Sequence, residues 1–189
     1  YDLITSSIRK LEVFTPNRVS HRSATPHPIG WMAPPEHRGK LNVDAAVGRR
    51  GQNEAVDAIF RVHARRFMGA SAFISTNIGD SATLEALAIR EGLALAEDLN
   101  ESRIHVASDC KVAVDDIHHL YKGSYGAIVQ EIFQYRSSFE TCNIIHEFRS
   151  SNIEAHKLAK HALSLGVGRH VWLGQPNGLG FVPVNVVTE

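Results

Sequence analysis

The sequence predicts an α/β domain in which helices cover a mixed β-sheet. Three strand-like segments follow one another with short links, a long Ala- and Leu-rich helical segment comes next, and strands and helices then alternate. The order βββαβ(αα)βα starts as an antiparallel meander and continues through crossover connections. We therefore expect five strands, three antiparallel and then two parallel, with helices on both faces of the sheet.

Each predicted strand is a short run that is rich in apolar residues and bounded by polar turns. The first run alternates apolar and polar residues, and the next two follow after a polar loop and a short turn. The predicted strands are residues 41–47, 55–62, 67–74, 104–107 and 139–148.

The predicted helices have recognisable starts. Asp80 or Ser81 can cap the long helix at residues 82–98, and shorter helical stretches follow at 112–120 and 127–136. The segment Ser151-Asn152-Ile153-Glu154 matches a capping box and predicts a last helix that ends near Leu165.

Charge and proline divide the chain into unequal parts. The 189 residues carry 20 basic and 20 acidic side chains, which excludes a highly charged disordered chain and a protein that binds nucleic acid by bulk positive charge alone. The first 40 residues nevertheless have a net charge of +3 and hold five of the seven prolines. We expect a basic, extended linker at 1–39, a folded domain at 40–173 and a tail at 174–189.

The apolar runs and the number of cysteines indicate the cellular compartment. No apolar run is long enough to cross a membrane, and two cysteines cannot form a disulfide framework, so we expect an intracellular protein, in the nucleus or the cytoplasm. Because the sequence begins with Tyr1, we expect part of a longer polypeptide. We also expect a monomer.

Three acids occupy positions where a carboxylate needs a partner. Asp44 lies inside the first strand, Glu85 lies beside the apolar stripe of the long helix, and Asp109 directly follows the fourth strand. Burying an isolated carboxylate is costly. Each acid taken singly has an ordinary interpretation, as an edge-strand residue, a surface carboxylate or a helix cap. The three acids together, placed on this order of strands and helices, form a more specific pattern and favour a common site.

Five segments carry a resemblance to a known family: KLNVDAAV at 40–47, EALAIREGLA at 85–94, SDC at 108–110, FRSSNIEAHKLAK at 148–160 and RHVWL at 169–173. The span 40–175 resembles the plant-type branch of the type-1 ribonuclease H domain that occurs in reverse-transcriptase-derived proteins. Residues 31–35, WMAPP, are similar to the Trp-x-Pro-Pro linker that commonly precedes such domains.

The resemblance implies a ribonuclease H-like fold and a metal-dependent endonuclease. Asp44, Glu85 and Asp109 would be catalytic carboxylates that bind two Mg²⁺ ions, or Mn²⁺, and cleave the RNA strand of an RNA–DNA hybrid. Oxygen ligands suit these hard cations, and two ions about 3.5–4 Å apart can activate water and stabilise the leaving oxygen. Bound cations also reverse the local charge, so a near-neutral domain can bind a hybrid.

One departure from the family pattern concerns a fourth acid, expected at the position of His156. A neutral nitrogen is a poor Mg²⁺ ligand. His156 either takes a catalytic role, with a softer metal or by orienting water, or its presence weakens the second metal site. Glu154 faces another direction on the helix and is not expected to substitute. The alternative functions are a nucleic-acid-binding module or retrotransposon remnant that has lost efficient cleavage, and another nuclease or integrase-like activity on the same fold.

Other polar residues are candidates for nucleic-acid contacts. Arginines at hairpin ends are expected on one side of the sheet, where they either contact phosphates or form solvated turn tips: Arg49, Arg50, Arg65 and Arg66. Three uncharged polar residues near the acids are candidates for contacting the ribose 2′-hydroxyl: Asn42, Ser108 and Asn152.

Overall fold

A six-stranded mixed sheet forms the centre of the domain. The computed structural model describes residues 30–49, 52–76 and 78–183. The strands are β1 (Gly39–Val47), β2 (Glu54–Val62), β3 (Phe67–Ser75), β4 (Arg103–Ser108), β5 (Thr141–His146) and β6 (Gly168–Leu173). Their order across the sheet is β5-β4-β1-β2-β3-β6. Strands β1, β2, β3 and β6 pair antiparallel, whereas β4 lies parallel to both β1 and β5.

The predicted fold class is confirmed, and the predicted number of strands is wrong by one. Strand β6 lies in the segment 169–173 that carries part of the family resemblance, but no strand was expected there. It pairs along the outer edge of β3, and its residues alternate between half-buried and exposed. A half-exposed edge strand does not need a continuous apolar run, so the sequence pattern indicates it only weakly.

Helices cover both faces of the sheet. They are α1 (Ser81–Asp98), α2 (Lys111–His118), α3 (Gly126–Arg136) and α4 (Ile153–Ala162). Leu41 and Val43 of β1 belong to the main core, which includes residues of α1, α2 and α3. On the opposite face, Leu158 and Ala162 of α4 pack with residues of β2 and β3. A Cβ on Gly92 would lie 2.9 Å from Val43, so this glycine allows α1 to approach β1 closely.

Two side chains determine where α1 begins. Glu54 accepts hydrogen bonds from the backbone N–H groups of Ile78 and Gly79, at 2.6 and 3.1 Å, and so anchors the approach to the helix. Asp80 accepts from the N–H of Thr83 at 2.8 Å and is the N-cap, one of the two caps expected from the sequence. Glu85 is therefore placed on the second turn of α1, near the sheet edge where β1 and β4 end.

The predicted capping box at the start of α4 is wrong. Asn152 is the N-cap residue, but its side chain makes no capping hydrogen bond. Its amide nitrogen instead donates to the carbonyl oxygen of Val43 in β1, at 2.8 Å. The start of α4 is thus attached to the sheet, close to Asp44.

Within the described residues, no helix combines the length and the apolar character that crossing a membrane requires. The domain limits of 40–173 and the monomeric state stay predictions.

Residues upstream of position 40 contact the domain. The carbonyl oxygen of Met32 accepts a hydrogen bond from Nζ of Lys40 at 2.7 Å, and the carbonyl oxygen of Pro34 lies 2.7 Å from Nδ1 of His63.

Candidate metal centre

Three carboxylates converge at one edge of the sheet. Asp44, Glu85 and Asp109 each offer an oxygen, and these atoms all lie within 4.8 Å of one another. The topology explains the convergence. Val43 pairs with Ser108 in the parallel ladder of β1 and β4, so the next residue of each chain, Asp44 and Asp109, emerges at the same edge. Glu85 reaches the same point from helix α1, which packs on the sheet.

The electrostatics of the cluster favour a bound cation. Burial raises the pKa of Glu85 to about 8, and the charges of Asp44 and Asp109 add to the effect. The pKa of Asp44 is also raised, chiefly by burial; the hydrogen bond from His156 opposes this and the charge of Asp109 reinforces it. In the metal-free chain a proton on Glu85 relieves the repulsion between these carboxylates, and a bound cation would relieve it as well. Their all-oxygen donor set fits Mg²⁺ or Mn²⁺.

His156 and Arg149 lie beside this cluster. Nδ1 of His156 donates to Oδ2 of Asp44 at 2.8 Å. Nη2 of Arg149 lies 2.8 Å from each ring nitrogen, and because guanidinium only donates, Nε2 is its acceptor. Both ring nitrogens of His156 are thus engaged with protein groups, and the cluster of candidate metal ligands among the described residues consists of the three acids.

Arg149 was not singled out from the sequence. It occupies the short 3₁₀ turn before α4, its side chain is 63% exposed, and Nη1 lies 3.6 Å from Oδ2 of Asp109. Its charge partly offsets the upward shift in the pKa of Glu85. The signal available in the sequence was a basic residue inside the segment FRSSN, directly before the helix that carries His156.

The three polar residues expected to contact the ribose are buried. Asn42 is 4% exposed, Asn152 1% and Ser108 0%. The hydroxyl of Ser108 accepts from the N–H of Cys110 at 3.0 Å. Nδ2 of Asn42 donates to Oδ1 of Asn152 at 3.0 Å. The bond between Asn42 and Asn152 links β1 to α4, and the Ser108 bond is local to the end of β4. Contacts of these buried side chains with a ribose stay a prediction.

Trp31 completes this buried network. Its indole Nε1 donates to Oδ1 of Asn42 at 3.0 Å. Because an indole N–H only donates, it fixes the orientation of the Asn42 amide, which in turn directs Nδ2 toward Asn152. The ring of Trp31 also lies against two cations, with Nζ of Lys40 at 5.3 Å and the guanidinium of Arg65 at 5.6 Å from its centroid.

The candidate phosphate-binding arginines separate into two groups. Arg49 is exposed in the loop after β1, at the end of the sheet that carries Asp44, and Arg50 lies outside the described residues. Arg65 and Arg66 follow β2 at its far end, about 30 Å away for a nine-residue strand. The expectation that all four lie on one side is therefore wrong. Glu154 pairs with Arg61 at 2.9 Å, and its exclusion from the site stays a prediction.

A further buried acid, Asp57, was also missed. It lies directly opposite Asp44 in the antiparallel ladder of β1 and β2 and is 0% exposed. Neither of its carboxylate oxygens has a hydrogen-bond partner within the part of the chain that the structure describes. Burial raises its pKa well above the ordinary value, and the charges of Asp44 and Glu85 add to this effect.

Comparisons with known proteins agree with the architecture. Residues 42–162, more than half of the chain, match the reverse transcriptase-like family. No match was found among curated proteins. RNase H1 from the archaeon Halobacterium salinarum superposes with a TM-score of 0.61 at 17% identity and covers 67% of this chain and 97% of its own. The N-terminal RNase H domain of a Mycobacterium tuberculosis protein gives 0.58 at 17% identity, covering 67% and 93%.

One further structure is that of a complex. LC11-RNase H1, whose source is compost metagenomic DNA, was solved with an RNA/DNA hybrid. It superposes with a TM-score of 0.52 at 12% identity and covers 66% of this chain and 96% of its own. These likenesses concern the fold. With the match over residues 42–162, they lead to one conclusion: the chain belongs to the reverse transcriptase-like family and has a ribonuclease H-like fold.

Proposed function

We propose that this domain is a divalent-metal-dependent endonuclease that hydrolyses the RNA strand of RNA–DNA hybrids. The observation that carries the proposal is the convergence of Asp44, Glu85 and Asp109, with oxygens within 4.8 Å of one another. These carboxylates would hold Mg²⁺ or Mn²⁺. Bound there, two ions would supply an activated water and the positive charge that stabilises the leaving oxygen of the phosphodiester.

The neighbouring side chains have roles that follow from their contacts. His156 holds Asp44 in position through the 2.8 Å hydrogen bond from Nδ1. Arg149 presents an exposed guanidinium next to Asp109, where it can donate to a phosphate oxygen of the substrate. Arg49, exposed at the same end of the sheet, is a second candidate for a phosphate contact.

A specific observation favours slow turnover or, as the second candidate function, a binding module without efficient cleavage. The side chain that α4 places against Asp44 is His156, and both of its nitrogens are engaged with Asp44 and Arg149. It adds neither an anionic oxygen nor an open ligand position to the cluster. We therefore expect one tight and at most one weak cation site, and cleavage slower than with an acid at this position.

The test is cleavage of an end-labelled RNA–DNA hybrid in Mg²⁺ and in Mn²⁺ by the purified chain, by Asp44→Asn and by His156→Asp. We expect slow cleavage by the unmodified chain and none by Asp44→Asn. His156→Asp should raise the cleavage rate by about tenfold or more, since residues around a metal site change affinity or activity by about 10- to 100-fold. Robust cleavage in Mg²⁺ that His156→Asp leaves unchanged would contradict the weakened site. Hybrid binding without cleavage by either protein would favour the binding module.

A further inference from the structure

Residues 31–38, which precede β1, are attached to the domain by more than one contact. Arg38 reaches β4, where its Nη1 lies 3.0 Å from Nε2 of His105. Trp31 and Met32 form hydrogen bonds with side chains of β1. From each of these two residues, a series of hydrogen bonds between buried groups leads toward the three acids.

The first series ends at Asp44. The indole N–H of Trp31 orients the amide of Asn42, which donates to Oδ1 of Asn152 at 3.0 Å. The carbonyl oxygen of Asn152 accepts from the backbone N–H of His156 at 3.1 Å, at the start of α4. Nδ1 of His156 then donates to Asp44 at 2.8 Å. The series thus connects Trp31 to the side chain that holds Asp44.

The second series ends beside Asp109. Nζ of Lys40 donates to the carbonyl oxygen of Met32 at 2.7 Å and to both carboxylate oxygens of Glu147 at 2.6 Å. An ammonium group has three donors, and these three acceptors use all of them. The backbone N–H of Glu147 donates to the carbonyl oxygen of Ser108 at 2.9 Å, and Asp109 is the next residue. Met32 is therefore linked to the end of β4 through a buried ion pair.

Docking of residues 31–38 and binding of a cation favour the same arrangement of the acids. If the segment leaves the domain, the amide of Asn42 loses the donor that orients it, and the buried ammonium of Lys40 loses one of its three acceptors. Both changes loosen contacts that end at Asp44 and Asp109. A cation needs the two carboxylates close together, and ligands that are already held in place bind more tightly. Two events that stabilise one arrangement strengthen each other reciprocally.

We propose that residues 31–38 position the metal centre, so that docking of this segment and binding of the divalent cation strengthen each other. Trp31 is the positioning residue for Asp44, and Met32 acts on Asp109 through its backbone carbonyl. This inference rests on the proposed metal-dependent function. It extends the unit that forms the centre upstream of the predicted domain limit at residue 40.

The first measurement is Mn²⁺ binding by isothermal titration calorimetry for the unmodified chain, Trp31→Phe, Trp172→Phe and Asp44→Asn. Trp31→Phe keeps an aromatic ring and removes the donor to Asn42. It should weaken Mn²⁺ binding by about three- to tenfold, the factor that corresponds to the net contribution of one hydrogen bond. Trp172→Phe is the matched control, because it makes the same change at the other tryptophan, on a strand three positions from β1 in the sheet. It should leave the affinity within about 1.5-fold of the unmodified chain.

The second measurement is hydrogen exchange of the indole N–H groups, followed by NMR in EDTA and in saturating Mg²⁺, which is diamagnetic. The chain has two tryptophans, so Trp172 serves as the internal reference. Because the coupling is reciprocal, Mg²⁺ should slow exchange at Trp31 by about threefold or more and leave Trp172 unchanged. A contact with a merely structural role would not respond to the cation.

Every other outcome counts against the proposal. If Trp31→Phe leaves the Mn²⁺ affinity unchanged while Asp44→Asn abolishes binding, the inference is overturned and the proposed function stands. Equal weakening by Trp31→Phe and Trp172→Phe, or exchange at Trp31 that Mg²⁺ does not slow, overturns it as well. If the unmodified chain binds neither cation, the proposed function fails and the inference fails with it. If Trp31→Phe does not fold, exchange in the unmodified chain decides.

Discussion

The pH dependence of stability provides a sharp test of how the acids interact. Glu85 has an ordinary pKa of 4.5, and in the folded, metal-free chain its pKa is about 8. Between these two values the folded protein retains a proton that the unfolded chain has released. The stabilisation that this proton contributes is therefore present at low pH and is lost as the pH rises toward 8.

The expected magnitude follows from the same two values. Each pKa unit corresponds to about 1.36 kcal/mol, so the full interval sets an upper limit of about 5 kcal/mol. The part of the interval above pH 6 spans about two units and corresponds to about 2.7 kcal/mol. Because Glu85 is partly accessible to solvent, screening reduces this figure, and we expect about 2 kcal/mol between pH 6 and pH 9.

The assay is urea unfolding in EDTA at pH 6 and at pH 9 for the unmodified chain, Glu85→Gln and Glu131→Gln. Glu131 is a suitable control because it is an exposed acid, 57% accessible, that pairs with Arg90. From pH 6 to pH 9, the free energy of unfolding should fall by about 2 kcal/mol more for the unmodified chain and for Glu131→Gln than for Glu85→Gln. Saturating Mn²⁺ should remove most of that excess loss. Equal losses for Glu85→Gln and the unmodified chain would refute the argument.

Two further predictions concern the structure that supports the site. Lys40→Ala should lower the free energy of unfolding by about 3–5 kcal/mol, because it leaves Glu147, now 2.6 Å from Nζ and 4% exposed, buried without its cation. Lys111→Ala, which breaks an exposed pair, should lower the free energy of unfolding far less, and equal losses in urea unfolding would contradict this account. Trp31→Phe should remove the donor to Asn42 while keeping an aromatic ring, with a loss of about 0.5–1.5 kcal/mol and faster hydrogen exchange in the first turn of α4. Unchanged exchange there would show that Trp31 does not position the helix.

The convergence of the acids was predictable from the sequence because it follows from connectivity. Asp44 lies near the end of one strand, and Asp109 follows another that is parallel to it, so both must emerge at the same edge. Glu85 follows a recognisable N-cap by little more than one helical turn. Local patterns therefore sufficed to predict the positions of the three candidate ligands.

Asp57 and Asn152 show where local patterns were insufficient. The run VDAIF predicts a strand, but only the register with β1 places Asp57 opposite Asp44. Asn152 occurs in a motif that predicts a helix cap, yet its amide donates to a carbonyl of β1, 109 residues earlier in the chain. Strand β6 likewise depends on pairing with β3, roughly a hundred residues away in sequence, which no short segment encodes. In each case the decisive contact is a long-range one that no local pattern contains.

The central claim is that Asp44, Glu85 and Asp109 bind divalent cations at the point where the phosphodiester of a hybrid is cleaved. The most direct measurement is a crystal structure of the unmodified chain with Mn²⁺ and a non-cleavable RNA–DNA hybrid. Anomalous diffraction would locate the manganese. We expect an anomalous peak in contact with the three carboxylates and an RNA-strand phosphate next to it. A hybrid bound elsewhere, or no manganese between these carboxylates, would contradict the claim.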